Sequence, residues 1–388
     1  MTTDVTVPEP RSDPEDATDA TEVTVRNDGP TADAFAERLF ASALGAIDVL
    51  AAYLGDRLGW YRSLADDGPA TPSELAARTT CDQRYAREWL EQQAVSGVLT
   101  VAVTDAPEDE RRYALPPGPA EVLTDAASLN YLAPVARMLA APASQLPALL
   151  AAYRGGGGVS WDQLGDDARE SQADMNRPWY EQKLATALAA VPELHERLAR
   201  PGVRVLDVGC GAGWSTIALA RAYPAAVLDG VDIDEPSMAA ARANAADARV
   251  ADRVTFRAAD AAGLQGADAP AGAAYDVAFA FECVHDMAQP VPVLSGIRSM
   301  LVPDGVLVVM DEAVAEEFTA PGDEIEQLMY GFSLLVCLPD GRSSDPSEAT
   351  GTVMRRSTLD RYARRAGFAG AEVLPTGDFG LWRFYALR

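Results

Sequence analysis

Seven residues, Asp207-Val208-Gly209-Cys210-Gly211-Ala212-Gly213, carry the first chemical signal in the chain. Glycines at alternate positions let the backbone turn sharply and let a ligand approach more closely than a side chain would permit. Downstream, Asp232, Asp260 and Glu282 each stand at the end of an apolar run that reads as a strand. Asp232 lies 25 residues after Asp207, where a carboxylate can accept hydrogen bonds from both hydroxyls of a ribose. Asp260 is in reach of an adenine amino group, and Ile233 offers the ring an apolar face. A dinucleotide fold would use G-x-G-x-x-G, but the sixth position counted from Gly209 is Trp214. This departs from the NAD pattern. Beyond the fourth strand, in FAFECVHDM, comes His285, whose ordinary pKa near 6.5 suits removal of a proton from a hydroxyl. The plainer reading of His285 is a residue that packs or orders its turn.

These residues need a frame that brings strand ends together. From Val203 onward strands and helices alternate: RVLDVG, a helix from about Trp214, VLDGVDI, a helix from Pro236, RVTFRAAD, YDVAFAFE, another helix and GVLVVMDE. Repeated strand-helix units with short links imply a parallel sheet covered on both faces. Such sheets bind ligands at the carboxyl ends of their strands, where the glycine turn and the acids fall. The four cysteines are scattered and only two histidines exist, so neither a disulfide framework nor a histidine-built metal site is expected. Cys210, inside the glycine motif, reads as a small packing residue, and His195 in PELHERLAR as a solvated one.

The motif D-x-G-x-G-x-G, standing here as DVGCGAG, resembles that of the class I S-adenosylmethionine-dependent methyltransferases. The resemblance covers roughly residues 176 to 388. It implies an α/β, Rossmann-like, seven-stranded sheet with an antiparallel last strand, which LWRFYALR at the C-terminus would supply. It also implies S-adenosyl-L-methionine as cofactor. Asp207, Gly209, Gly211 and Gly213 would surround the methionine part, Asp232 the ribose, and Ile233 and Asp260 the adenine, with Ala261 and Glu282 completing the cofactor site. His285 would be the catalytic base toward a small-molecule acceptor, O-methylation being the favoured reaction. A metal-dependent O-methyltransferase would carry an Asp-Asn pair at the relevant strand ends; none stands here, so no metal is expected.

A narrower resemblance reaches further back. RYAREWL, NRPWY, DVGCGAGWSTIALA, FECVHDMAQPV and the FSLLVCLP segment look like a bacterial and archaeal methyltransferase group with an N-terminal winged helix, sometimes described as regulators. The residues themselves give the same plan. TPSELAARTTCDQRYAREWLEQQAVSGVLTV reads as a Thr71-capped helix, a turn and a second helix ending at Gly97, followed by a hairpin with the tip DAPEDERR. Asp66 to Arg112 hold ten acids and five arginines, a formal charge of -5. That module lacks the basic footprint of DNA binding, so packing or dimerisation is the favoured role and an S-adenosylmethionine-sensing DNA-binding regulator the alternative.

Four segments follow from these readings: an acidic disordered tail (1–30), a mainly helical winged-helix domain (31–125), a helical linker and cap (126–175) and the methyltransferase-like domain (176–388). The tail holds eight acids, two arginines and four prolines, a composition that cannot fold alone. Phe35, Leu39, Phe40, Leu44, Ile47, Leu50, Leu54 and Leu58 then recur at helical spacing. Their stripe needs a partner, either the rest of the domain or a second subunit of a homodimer. Gly155 to Gly158 read as a hinge, and Asn176 to Tyr180 as the opening of a helix with proline in its first turn.

A net charge of -26 disfavours nucleic acid and anionic membrane surfaces as partners. Lys183 is the only lysine. Such a surface suits a salty, halophilic cytoplasm, where screening removes self-repulsion; codon bias toward Arg, Ala and Asp would give the same composition. No run of about 18 uncharged apolar residues and no signal-peptide plan appears, so a cytoplasmic, soluble protein is expected.

Overall fold

The computed structural model describes residues 29–101, 105–263 and 275–388. All but the last two residues of the expected acidic tail lie outside that range. The chain divides into two compact units, 1–46 and 47–388. In the first, a helix begins at Ala32 and leaves Phe35, Leu39, Phe40 and Leu44 exposed. This helix, Ala32–Arg57, is long and apolar enough to cross a bilayer, with a mean hydropathy of 1.4 over 18 residues. It also carries Asp33, Glu37, Arg38, Asp48, Asp56 and Arg57. Within the second unit its last turns are tied down: Trp89 Nε1 donates to the Ala51 carbonyl, and Gln92 and Ser96 donate to Asp48.

The winged helix forms as its caps dictate. Thr71 and Glu74 make a reciprocal capping box on Pro72–Thr79, and the Asp82 carboxylate accepts from the backbone N–H groups of Arg84 and Tyr85 to start Gln83–Val95. Strands β1 (Thr100–Val101) and β2 (Tyr113–Ala114) pair antiparallel as the hairpin. Trp60, Tyr61, Leu75, Trp89 and Leu90 form its core.

Three helices follow, Pro117–Thr124, Ala133–Ser144 and Leu146–Gly155. In the glycine run after them, Gly158 is held in close contact. A Cβ on Gly158 would lie 1.9 Å from the Pro339 carbonyl oxygen, and the Val159 N–H donates to that same oxygen. Here glycine serves close backbone approach rather than flexibility. The expectation for Asn176–Tyr180 is also corrected. Helix starts much earlier: Ser160 and Gln163 cap a first turn at Trp161, the backbone breaks at Gly165 with φ 76°, and the helix then runs on to Trp179 with Pro178 inside its last turn. A five-residue π-helical stretch, Tyr180–Leu184, follows directly and takes up the irregularity.

The sheet has the order β5-β4-β3-β6-β7-β9-β8, with β3 Arg204–Val208, β4 Val227–Asp232, β5 Val254–Ala258, β6 Tyr275–Phe281, β7 Leu301–Glu312, β8 Ala371–Val373 and β9 Trp382–Leu387. The first five pair in parallel and β9 runs antiparallel to both neighbours, as the sequence leads one to expect. Two apolar layers sandwich it, one around Leu188, Ile217 and Phe279, the other around Leu206, Leu294 and Tyr385. Burial on both faces explains why β3 and β6 read as continuous apolar runs.

Candidate functional site

Strand β3 enters the glycine turn, and all three glycines adopt the left-handed backbone, with φ of 68° at Gly209, 49° at Gly211 and 80° at Gly213. An L side chain resists that conformation. Space is equally restrictive: a Cβ on Gly209 would sit 2.7 Å from Cys283 Cβ, and one on Gly213 2.6 Å from the Phe256 ring.

Two acids fix the turn. Asp207, fully buried, accepts hydrogen bonds from Ser215 Oγ and Thr216 Oγ1, both at 2.6 Å, and so pins the helix Trp214–Ala222 to the strand. Burial lifts its pKa to about 6, against the lowering pull of those two hydroxyls. Asp232, ending β4, accepts from the Gly211 N–H at 2.9 Å and from the Asp234 N–H at 3.0 Å. A carboxylate so placed links the glycine turn to the neighbouring loop and keeps lone pairs for a ligand.

The other nucleoside candidates divide. Ile233 is 75% exposed beside Asp232, open to a stacking ring. Asp260 stands two residues past the end of β5, exposed, its carboxylate accepting from the Ala262 N–H. Ala261 is buried in the apolar layer behind.

The end of β6 carries the densest chemistry. Glu282 has a left-handed φ of 48°, and its carboxylate accepts from Trp382 Nε1, Asn176 Nδ2 and, at 3.4 Å, Gln172 Nε2. A strained non-glycine residue is retained where surrounding contacts over-determine it, commonly at functional sites. Burial raises the Glu282 pKa to about 7, partly offset by the Trp382 bond and the charge of His285.

His285 is 2% exposed. Its Nδ1 lies 2.9 Å from Asp311 Oδ1 and 3.2 Å from Glu312 Oε2, and its Nε2 lies 3.2 Å from Asp286 Oδ1. Burial works to lower the imidazole pKa, but the charges of Asp286, Asp311 and Glu312 outweigh it and raise the value well above the ordinary one. Asp311 is raised by burial and lowered further by His285, for a net depression; Glu312, buried and beside Asp311, is pushed well up.

Two donor sets, His285 with Asp311 and Glu312 and His285 with Asp286 and Cys337, bring ligand atoms within 4.8 Å and could hold a cation. Asp311 and Glu312, which end β7, escaped the sequence reading. The rule that placed Asp232 and Glu282 at strand ends would have found them in GVLVVMDE. Asn176 and Trp382 carry no such signal, being 106 and 100 residues from Glu282.

Cys337, beside His285, also belongs to an apolar cluster next to this site. Met138, Leu149, Val159, Leu164 and Ala168 pack with Val336 and Cys337, and Gly341 abuts the Asp286 carbonyl. His195 is exposed, with Nδ1 3.2 Å from the Tyr223 hydroxyl, and Cys210 is buried.

A methyltransferase-domain model matches residues 199–341, and a model of the Rv2258c-like winged HTH domain matches residues 45–125. The chain thus has the class I methyltransferase fold behind a winged helix. Over 143 residues the chain is 34% identical to 27-O-demethylrifamycin SV methyltransferase of Amycolatopsis mediterranei, covering 36% of this chain and 51% of that protein. It is 36% identical over 110 residues to an O-methyltransferase of Penicillium expansum, covering 28% and 38%. The chain thus spans about half or less of the length of these curated relatives. Two solved structures share the fold across nearly the whole length. Mitomycin 7-O-methyltransferase MmcR aligns with a TM-score of 0.69 at 24% identity, covering 93% of this chain and 99% of that one. Human N-acetylserotonin methyltransferase, solved with SAM, aligns at 0.66 and 17%, with the same coverage. The methyltransferase domain and the winged helix therefore sit in a known architecture.

Proposed function

We propose that this protein transfers a methyl group from S-adenosylmethionine to a small-molecule acceptor, a hydroxyl oxygen being the favoured target. The observation that carries the reading is the glycine turn: three left-handed glycines with no room for a Cβ at two of them, joined to the Asp232 carboxylate through the Gly211 N–H. A nucleoside fits that cradle, with Asp232 for the ribose, Ile233 and Asp260 with the backbone of Ala261 for the adenine, and the turn from Asp207 to Gly213, with Glu282, for the amino-acid end. When bound, the cofactor supplies an electrophilic methyl group on a sulfonium. The chain's part is to hold the acceptor close and aligned, and to take its proton at His285 Nε2 while Asp311 fixes Nδ1.

Calorimetry with S-adenosylhomocysteine tests the reading. One site per chain is expected, and Asp232→Ala should weaken it by about 1.5 to 3 kcal/mol, the range for a hydrogen bond to a charged group. Unchanged affinity in that variant would remove Asp232 from the site.

The alternative, a cofactor-sensing DNA-binding regulator, is not favoured. Arg84, Arg87, Arg111 and Arg112 of the winged helix pair with Glu88, Glu108, Glu91 and Glu74, which leaves little charge for phosphates. A homodimer is the better use of this domain. An apolar groove of about 610 Å³, bordered by Leu54, Leu58, Trp60, Tyr85 and Trp89, supports it, and sedimentation velocity reports it directly. For the acid-rich surface we favour a saline cytoplasm. The thermal midpoint should then rise markedly from low to molar salt as carboxylate repulsion is screened, and a flat response would leave codon bias as the cause.

A further inference from the structure

The helix that resumes after the break at Gly165 carries charge on two faces. Asp167, Glu170 and Asp174 recur at helical spacing and share one of them. Arg169 stands two positions beyond Asp167, about 200° round the helix, and so belongs to the other.

The acidic face is held from the N-terminal half of the chain. Arg57, at the end of the helix Ala32–Arg57, donates to Asp167 at 2.7 Å and to Glu170 at 2.6 Å, and the Tyr53 hydroxyl donates to Asp167 at 2.8 Å. Arg137, from the helix Ala133–Ser144, donates to Asp174 at 2.7 Å and pairs with Asp56 at 3.1 Å. Arg137 and Asp56 are both buried, and breaking such a pair by removing one partner is costly. The winged-helix domain is thereby tied to this helix at a fixed place.

The opposite face reaches the nucleoside candidates. Arg169 Nε donates to both Asp234 oxygens, at 3.0 and 2.9 Å, while its Nη1 and Nη2 donate to Asp166 and Asp162. A guanidinium engaged on three carboxylates fixes orientation as well as distance, as an ammonium would not. Asp234 in turn caps the helix Glu235–Asp247 by accepting from the Ser237 N–H. Its own N–H donates to Asp232, whose other oxygen accepts from the Gly211 N–H of the glycine turn. The loop that presents Asp232 and Ile233 is therefore gripped at its next residue.

We infer that Arg169 is a positioning residue for the nucleoside cradle, and that Arg57 and Arg137 set its place from the far side of the same helix. This rests on the methyltransferase reading and deepens it: the winged-helix domain contributes to cofactor affinity without touching the cofactor.

The test is calorimetry with S-adenosylhomocysteine on the full chain. Arg169→Met and Arg57→Met should each weaken binding about two- to thirtyfold, the range for residues that act on a ligand through others. Arg169→Lys should recover part of the loss. The double variant should lose no more than Arg169→Met alone, because Arg57 acts through the contact already removed. Arg137 stays intact throughout, since its burial makes loss of the fold the expected result of replacing it. Arg112→Met, which breaks an ion pair with Glu74 elsewhere in the winged helix, should bind as the wild type does. Melting curves of the same variants separate positioning from mere support. A lowered midpoint in Arg57→Met with wild-type affinity would overturn the inference, as would losses that add in the double variant. A wild type that binds no S-adenosylhomocysteine would overturn the methyltransferase reading, and the inference with it.

Discussion

His285→Ala should lower turnover by about 10²- to 10⁴-fold while leaving S-adenosylhomocysteine affinity nearly intact. The imidazole lies beyond the glycine turn, at the carboxyl end of β6, with Nδ1 fixed by Asp311 and Nε2 facing Asp286 at 3.2 Å, so a hydroxyl reaches Nε2 by taking the place of Asp286. The charge state adds a second, sharper signature. A base needs a neutral imidazole, but the surrounding carboxylates hold this one protonated well above the ordinary histidine range. Turnover should therefore climb as pH rises past neutrality and level off only above the raised value. Stability should run the other way. A histidine whose folded pKa exceeds its unfolded one stabilises the fold fully below the unfolded value and loses that contribution as pH rises through the folded one. Glu312, with its pKa raised, adds to the same trend, since its protonated form is the one the fold prefers. Across the alkaline range the protein should become faster and less heat-stable together. Near-normal turnover of the alanine variant with its true acceptor, or a rate already level at pH 6, would leave His285 as a structural residue.

Gly209→Ala should abolish measurable cofactor binding, with a loss of more than about 10²-fold. Left-handed backbone costs an L residue about 1–2 kcal/mol. The added methyl would also meet Cys283 Cβ at 2.7 Å and Sγ at 2.8 Å, and overpacking of this kind costs about 1–3 kcal/mol more. Cys283 has little room to yield, because its thiol donates to the Val208 carbonyl and its neighbours Glu282 and Val284 are held in place. Gly211→Ala is the control. Its Cβ would meet nothing within 4 Å, so only the backbone strain applies and a milder loss is expected. Equal affinities in both variants would show that crowding against Cys283 is irrelevant.

The parts of this molecule that were legible in the sequence are those specified locally. Strand-helix alternation, the glycine turn and the Thr71 cap each depend on residues a few positions apart, and each forms as expected. What was misread depends on distant partners. Gly155–Gly158 have the composition of a hinge, but Pro339, far along the chain, turns Gly158 into a contact point. Pro178 has the look of a helix start, yet it lies in the last turn of a helix that resumes after the break at Gly165. His285 was found from its type and place, and Asp286 stands beside it in sequence, whereas Asp311 and Glu312, which add to its charge environment, come from the next strand, Asp311 lying 26 residues on.

The close approach at Gly158 has a consequence for anyone who would alter what this protein accepts. The cap is built from two stretches of chain, around residues 138–168 and 336–341, and they meet backbone to backbone, with the Val159 N–H on the Pro339 carbonyl and the Trp161 N–H on the Asp340 carboxylate. A donor segment with a side chain at position 158 would drive its counterpart away, so the two stretches fit only as a pair. A graft here would therefore exchange both together and leave the glycine turn untouched.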